Sequence, residues 1–176
     1  MSLPVRPHSM NSGPAELRGS VTPRLWTPPL RELTPETSYG YDVCDFARDI
    51  LGMPLDPWQE WTMIHVGELL PDGRPRFRTA LIVVARQNGK TLLCKVLTLF
   101  WQFVEAVPLI LATSNTLAYA KESWLSVIDI ARNNPYLQEE IGPKAVRATI
   151  GEECLTALNG SRYRIAASNR RAGRSL

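Results

Sequence analysis

The feature that most restricts the fold is an apolar run that leads directly into a glycine-containing loop and then into a helical pattern. The run TALIVVA, residues 79–85, is aliphatic and rich in β-branched residues, and polar residues bound it on both sides. A continuous run of this kind predicts a strand that is covered on both faces, as in a parallel sheet. Residues 90 to about 106 are apolar on nearly every side and predict a central helix.

A second strand and another helix follow in the same order. LILATS, residues 109–114, is a short apolar run, and Asn115 is placed to cap the helix after it. Asn134-Pro135 ends that helix, because the residue before proline disfavours the α conformation. The helix has a predicted inner face of Leu117, Ala120, Trp124, Val127, Ile128 and Ala131. This order predicts an α/β fold with right-handed parallel βαβ connections and a mostly parallel sheet flanked by helices.

Two helices are predicted before this unit. The first has one apolar face and ends at Gly52, and the face consists of Val43, Phe46, Ala47, Ile50 and Leu51. The second begins in LDPWQEW, where Asp56 is the N-cap and Pro57 suits the first helical position. Gln59 stands at the third position and completes a capping box.

A β-hairpin is predicted near the end of the chain. Asn159-Gly160 separates two strand-like segments, residues 154–158 and 162–167. An Asn-Gly pair between such segments is the strongest short-range signal for a two-residue hairpin turn.

Composition divides the chain into an arm and one domain. Residues 1–36 hold half of the 14 prolines and show no apolar periodicity, which predicts a disordered or extended N-terminal arm. Residues 37–176 are then a single domain, since 176 residues suffice for one full core. Three widely spaced cysteines disfavour disulfides and zinc, and no segment has the length and apolarity of a signal peptide or a membrane span.

The loop RQNGKT, residues 86–91, has the ending of a phosphate-binding loop, although Val84 stands where the usual GxxxxGK[ST] pattern has its first glycine. At the carboxyl end of a strand, its backbone N–H groups would surround phosphates, with Lys90 on the β- and γ-oxygens and Thr91 on Mg²⁺. Arg86 is either a solvated loop residue or a second cation for the γ-phosphate. The predicted nucleotide-binding residues are Gln59, Arg86, Gln87, Asn88, Gly89, Lys90 and Thr91, with Lys90 and Arg86 as the catalytic pair.

Gln59 and an arginine cluster near the end of the chain can each be interpreted in more than one way. Gln59 is either a capping residue only or an amide that also contacts adenine. The arginine cluster is a solvated strand face, a contact for DNA phosphates or a source of an arginine for a neighbouring subunit's ATP. The cluster consists of Arg162, Arg164, Arg170, Arg171 and Arg174.

Together, LDPWQEW, VVARQNGKT, LATSNTLAYAKESW and NGSRYRIAASNRRAGRSL resemble the N-terminal ATPase region of the large terminase subunit of tailed phages. The resemblance runs from about Ser38 to the end, and RQNGKT is its most specific element, because this family carries an arginine there and lacks the first glycine. It implies a RecA-like P-loop ATPase that uses ATP and Mg²⁺ to move double-stranded phage DNA. Lys90 and Thr91 would be the phosphate and Mg²⁺ ligands, Arg86 the loop arginine and Gln59 the adenine contact.

The resemblance also implies partners and a location. The expected partners are phage DNA, the portal protein, the small terminase subunit and further copies in a ring on the portal, with no membrane. The expected location is the cytoplasm of the bacterial host, transiently on the prohead and not in the mature virion.

In the family, an apolar strand ending in Asp-Glu and then a nuclease domain follow, and neither is present up to Leu176. The sequence therefore predicts a fragment that is incomplete at the C-terminus, with weak ATPase activity and no DNA cleavage. The alternatives are another P-loop NTPase, helicase-like or kinase, and an inactive prophage remnant.

Overall fold

A computed structural model describes residues 20–149 and 151–168, and this part of the chain is an α/β arrangement of helices and one mixed sheet. Helix α1 (Gly40–Asp45) continues into a π-helical turn (Phe46–Ile50) and is followed by α2 (Pro57–Val66) and α3 (Lys90–Phe103). Strand β1 (Leu109–Ser114), helix α4 (Leu117–Asn133) and a 3₁₀ turn (Gln138–Glu140) come next. Strands β2 (Val146–Arg147), β3 (Cys154–Thr156) and β4 (Arg162–Ala167) complete the sheet.

The strand predicted over residues 79–85 does not form. The backbone of this segment makes no backbone hydrogen bond with any described residue. Leu81 and Val83 are 86% and 84% exposed, so the segment is not buried on both faces either. The physical reason is that a single extended segment has no stability without a neighbouring strand, whatever its β propensity.

The sheet is mixed, and the prediction of a mostly parallel sheet is wrong for the described residues. The strand order is β1-β4-β3-β2. Strand β1 runs parallel to β4, with Leu109 opposite Arg162, whereas β4 with β3 and β3 with β2 are antiparallel. The parallel connection in the described chain therefore runs from β1 through α4 to β4, later in the sequence than predicted.

Helix α4 confirms the predicted inner face. Of the six residues predicted for this face, Leu117 is half-buried against the core and the other five are buried. The buried residues are Ala120, Trp124, Val127, Ile128 and Ala131. The predicted cap is displaced by one residue. Thr116 is the N-cap and its hydroxyl accepts from the Tyr119 N–H at 3.4 Å, while Asn115 Oδ1 accepts from the Thr116 N–H. Thr116 is the cap because an N-cap side chain accepts a hydrogen bond from the N–H of the third helical residue, and the Thr116 hydroxyl makes this contact.

Asn134 ends α4 and joins it to the first helical segment. Its Oδ1 accepts hydrogen bonds from the N–H groups of Tyr136 and Leu137. Its Nδ2 donates to the Ile50 carbonyl at 2.6 Å, just before Gly52, whose φ of +62° confirms the predicted stop. The two helical segments are thus fixed to each other at their ends.

The hairpin between β3 and β4 is confirmed, but its turn is different from the prediction. Gly160 has φ +88°, whereas Asn159 does not adopt a positive φ. The Gly160 N–H donates to the Ala157 carbonyl and the Ala157 N–H donates to the Ser161 carbonyl. This is a three-residue loop with glycine in the left-handed position, since a two-residue type I′ turn needs positive φ at both central residues.

Residues 20–36 contain no helix or strand, and several of them contact the domain. Trp26 packs edge-on against Trp61 with ring centroids 5.2 Å apart. The Leu30 N–H donates to the buried Glu68 carboxylate, which also binds Arg76 at 2.6 Å. Residues 1–19 lie outside the described part, and the boundary at residue 36 stays a prediction.

The three cysteines are free thiols. Burial raises the pKa of the Cys44 thiol to about 11. Among the described residues, none of the helices is both long and apolar enough to cross a bilayer.

Candidate phosphate-binding loop

The loop before α3 has an unusual backbone. Gln87 has φ +63° and Gly89 has φ +76°, and the intervening Asn88 does not have a positive φ. A left-handed conformation costs a residue with a side chain about 1–2 kcal/mol, and such outliers concentrate at functional sites. Alternating handedness of this kind turns successive N–H groups towards one side of the chain, as in anion-binding nests.

The backbone N–H groups of the loop have no acceptor among the described residues. In residues 87–92, no backbone N–H donates to another described residue, and the first helical hydrogen bond runs from the Leu93 N–H to the Gly89 carbonyl at 3.2 Å. The start of α3 adds its positive dipole end at the same place. A run of free donors at a helix start is the arrangement that binds an anion, so the loop residues fit a phosphate-bearing ligand.

Lys90 is folded back across the loop. Its Nζ donates to the carbonyls of Val84 and Ala85 at 2.8 and 2.7 Å, where the loop begins. These two charge-assisted bonds hold the ends of the loop together. To reach a phosphate with more than one of its three donors, the ammonium group must exchange at least one of these carbonyls for a phosphate oxygen.

Gln59 contacts the loop from α2. Its Oε1 accepts a hydrogen bond from the Asp56 N–H at 2.8 Å, which is the predicted capping box. Its Nε2 donates to the Gly89 carbonyl at 3.1 Å, and the residue is fully buried. The same side chain therefore joins the start of α2 to the start of α3.

This second contact also explains the glycine in the loop. A Cβ added at Gly89 would lie 2.5 Å from Gln59 Nε2, and the φ of +76° is itself unfavourable for other residues. Asp56 is brought close as well, with Oδ2 4.0 Å from that Cβ position. From the sequence, Asp56 was predicted only as a helix cap, because its spacing in LDPWQEW gives no sign that its carboxylate lies beside the loop.

The remaining predicted site residues line the outside of the loop. Arg86, Asn88 and Thr91 are exposed, and Asn88 Nδ2 donates to the Arg86 carbonyl at 3.1 Å. Arg86 forms no ion pair with the described residues. Six of the seven predicted residues thus form one loop, and the seventh, Gln59, is buried against it. Arg86 and Thr91 are accessible to a ligand.

The arginine cluster is described in part. Arg162 and Arg164 lie on the face of β4 opposite the core, and residues 169–176, which include Arg170, Arg171 and Arg174, lie outside the described part. Lys144 and Arg147 join the two described arginines around a concavity of about 400 Å³. Lys144 and Arg147 were not predicted from the sequence, because only the pairing of β2 with β3 brings them to this concavity.

A larger concavity of about 540 Å³ lies between the π-helical turn and α4, and none of residues 86–91 lines it. In the part of the chain that the structure describes, no three His, Cys, Asp or Glu side chains are grouped as metal ligands. The contact of Thr91 with a phosphate-bound cation stays a prediction.

Among solved structures, the chain is similar to the crystal structure of the HK97 bacteriophage large terminase, with a TM-score of 0.62 and 22% sequence identity. The alignment covers 75% of this chain and 28% of that chain, so the chain spans just over a quarter of that terminase. No protein-family model and no curated protein matches the sequence. At this identity the similarity shows a shared fold, and it confirms the predicted resemblance at the level of the fold.

Proposed function

We propose that this chain is an ATP-binding unit of a DNA-packaging motor of the large-terminase type, with a RecA-like core. The observation that carries the proposal is the run of backbone N–H groups in residues 87–92 that have no acceptor among the described residues. This run contains the left-handed residues Gln87 and Gly89 as well as Lys90. The shared fold with a phage large terminase supports the choice of this class of motor. Other P-loop ATPases and kinases remain the alternative class, and an inactive prophage remnant is the alternative without activity.

The residues of the loop have distinct roles in this proposal. The N–H groups of residues 87–91 bind phosphate oxygens, and Lys90 neutralises their charge. Thr91 is exposed at the first turn of α3, where its hydroxyl is available to Mg²⁺. Bound Mg²⁺ would neutralise charge on the β- and γ-phosphates. Arg86 is the cation available for charge that develops on the γ-phosphate.

By the same proposal, the partners are double-stranded phage DNA, the portal protein, the small terminase subunit and further copies in a ring. The place of action is the host cytoplasm, on the prohead.

Titration calorimetry with ATP and ADP, with and without Mg²⁺, tests the proposal. We expect binding by the wild-type chain and a loss of about 10- to 100-fold in affinity for Lys90→Ala, because a hydrogen bond to a charged group contributes about 1.5–3 kcal/mol. Lys121→Ala is the matched control, since it removes the same charge from α4. A wild-type chain that binds no nucleotide, or a Lys90→Ala variant that binds as well as wild type, would reject the proposal.

A further inference from the structure

A group of basic side chains occupies the side of the sheet that faces away from the core. In β4, Tyr163 and Ile165 are buried, whereas Arg162 and Arg164 alternate with them and point to the other side. Arg147 of β2 lies in one row with Arg164, because both are paired with Cys154. With Lys144, these residues surround one concavity, and we call Lys144, Arg147, Arg162 and Arg164 the basic face.

The positive charge of the basic face is largely uncompensated. Glu152 is the acidic residue that lines the concavity, and it pairs with Arg147 at 3.3 Å. Lys144, Arg162 and Arg164 form no ion pair with any described residue. The whole chain has a formal net charge of only +3, so the concentration of cations here is a local feature. Such a patch attracts polyanions.

The spacing of these cations suits a nucleic-acid backbone. Arg162 and Arg164 are two residues apart on one strand, which separates their backbones by about 7 Å. Arg147 and Arg164 are two strands apart, which adds about 9.5 Å in the other direction. The minor and major grooves of B-DNA are about 6 and 12 Å wide. Backbone spacings of this order allow long cationic side chains to reach phosphates on both sides of a groove.

The floor of the concavity argues against a small phosphorylated ligand. Cys154 and Thr156 form that floor, and both are only half-buried. Small-ligand sites place buried, directional polar groups around the ligand, whereas phosphate-backbone contacts use exposed, long cationic side chains. On β1, Leu109 and Leu111 continue the same side of the sheet, but they are only 39% and 38% exposed. That is a small apolar area for a membrane contact.

We propose that the basic face binds the phosphate backbone of duplex DNA. The choice of duplex DNA rests on the proposed function, and the inference deepens that function by naming the DNA-contacting surface. The basic face does not include the loop of residues 86–91, so DNA binding and nucleotide binding are separable properties of this chain.

Fluorescence anisotropy with a labelled 20-bp duplex, repeated at several salt concentrations, tests the proposal. With three to four phosphate contacts, the plot of log K against log[salt] has a slope of about −2.7 to −3.6, which weakens binding about 40- to 150-fold between 50 and 200 mM salt. The double variant Arg162→Gln/Arg164→Gln should lower the steepness of that slope by about 1.8. Its affinity at 100 mM salt should fall about tenfold or more.

The matched control is Arg48→Gln/Arg74→Gln, which lowers the net charge equally. Both arginines are exposed and pair with aspartates outside the basic face. This control should bind DNA as wild type does. Lys90→Ala should also bind DNA normally, so that loss of nucleotide binding and loss of DNA binding are distinguished.

A thiol footprint gives an independent measurement. Cys154 lies between Arg147 and Arg164, so bound DNA should slow its alkylation, while the exposed Cys94 on α3 should react at an unchanged rate. Free ATP in place of DNA should not protect Cys154.

Four outcomes would overturn the proposal. They are an unchanged affinity and salt slope in Arg162→Gln/Arg164→Gln, binding to anionic vesicles without binding to DNA, protection of Cys154 by free nucleotide, and a loss of ATP turnover in the double variant with DNA binding intact. The last outcome would assign the arginines to a neighbouring subunit's nucleotide.

Discussion

The side chain of Gln59 contacts the backbone of Asp56 in its own helix cap and the backbone of Gly89, which lies 30 residues after Gln59. Its capping contact to Asp56 was predicted from four residues of local sequence, because a capping box has a fixed spacing. Its contact to the Gly89 carbonyl has no local signature, since it depends on how α2 packs beside the loop. Both ends of the amide are occupied within the protein, which favours a positioning role for Gln59 over direct contact with adenine.

Substitution of Gln59 separates these two roles. Gln59→Glu keeps the oxygen that accepts from the Asp56 N–H but removes the donor to Gly89, whereas Gln59→Leu removes both contacts. If Gln59 positions the loop, both variants should weaken ATP, GTP and inorganic tripolyphosphate by the same factor in calorimetry. We expect a loss of about five- to tenfold, the equivalent of one hydrogen bond of about 1–1.5 kcal/mol.

An adenine-contacting Gln59 would instead give a loss confined to ATP, with tripolyphosphate unaffected, and that result would reject the positioning role. Gln138→Leu is the control, because Gln138 is exposed in the 3₁₀ turn and does not line the loop. Chemical denaturation checks that each variant is folded.

Among the helices and strands, the buried face of α4 and the presence of the β3–β4 hairpin were predicted correctly, because both depend on a few neighbouring residues. The apolar spacing of α4 identifies its buried face because every face residue lies within one helix. The hairpin of β3 and β4 was found from Asn159-Gly160, although the turn type was not, because three-residue and two-residue loops share the same glycine signal. The predicted strand at residues 79–85 failed because strand formation depends on a partner elsewhere in the chain.

The exposure of residues 79–85 leads to a direct test. Leu81→Asp and Val83→Asp should each change the free energy of unfolding by no more than about 0.5 kcal/mol, as is usual for exposed positions. Ile110→Ala, in the buried part of β1, should cost about 2–5 kcal/mol. Urea denaturation followed by circular dichroism measures all three. A cost of several kcal/mol for Val83→Asp would show that this segment is buried in solution and that the predicted strand forms.

In the described part of the molecule, two apolar stretches of backbone have an edge without a neighbouring strand. Residues 79–85 pair with no described strand, and β1 contacts a described neighbour on one side only, β4. Leu81, Val83, Leu109 and Leu111 are all partly or largely exposed there. An apolar strand edge is a template for pairing with another chain, and charged residues at such an edge suppress it. The loop that gives this chain its candidate site is therefore attached to the part of the molecule most prone to association.

We therefore expect the wild-type chain to self-associate as its concentration rises, and Leu81→Lys/Val83→Lys to associate more weakly over the same range in sedimentation velocity. The control is Leu125→Lys/Tyr136→Lys, which also replaces two exposed apolar side chains with cations, at 45% and 64% exposure, but away from a strand edge. If general hydrophobicity or low net charge drove association, both double variants would prevent it equally. Pairing of backbone edges predicts that only the variant at residues 81 and 83 weakens association. Lysine there opposes pairing at one of the two open edges, whereas the substitutions in the helix and the turn leave both edges unchanged. Equal suppression by the two variants would refute edge pairing as the cause.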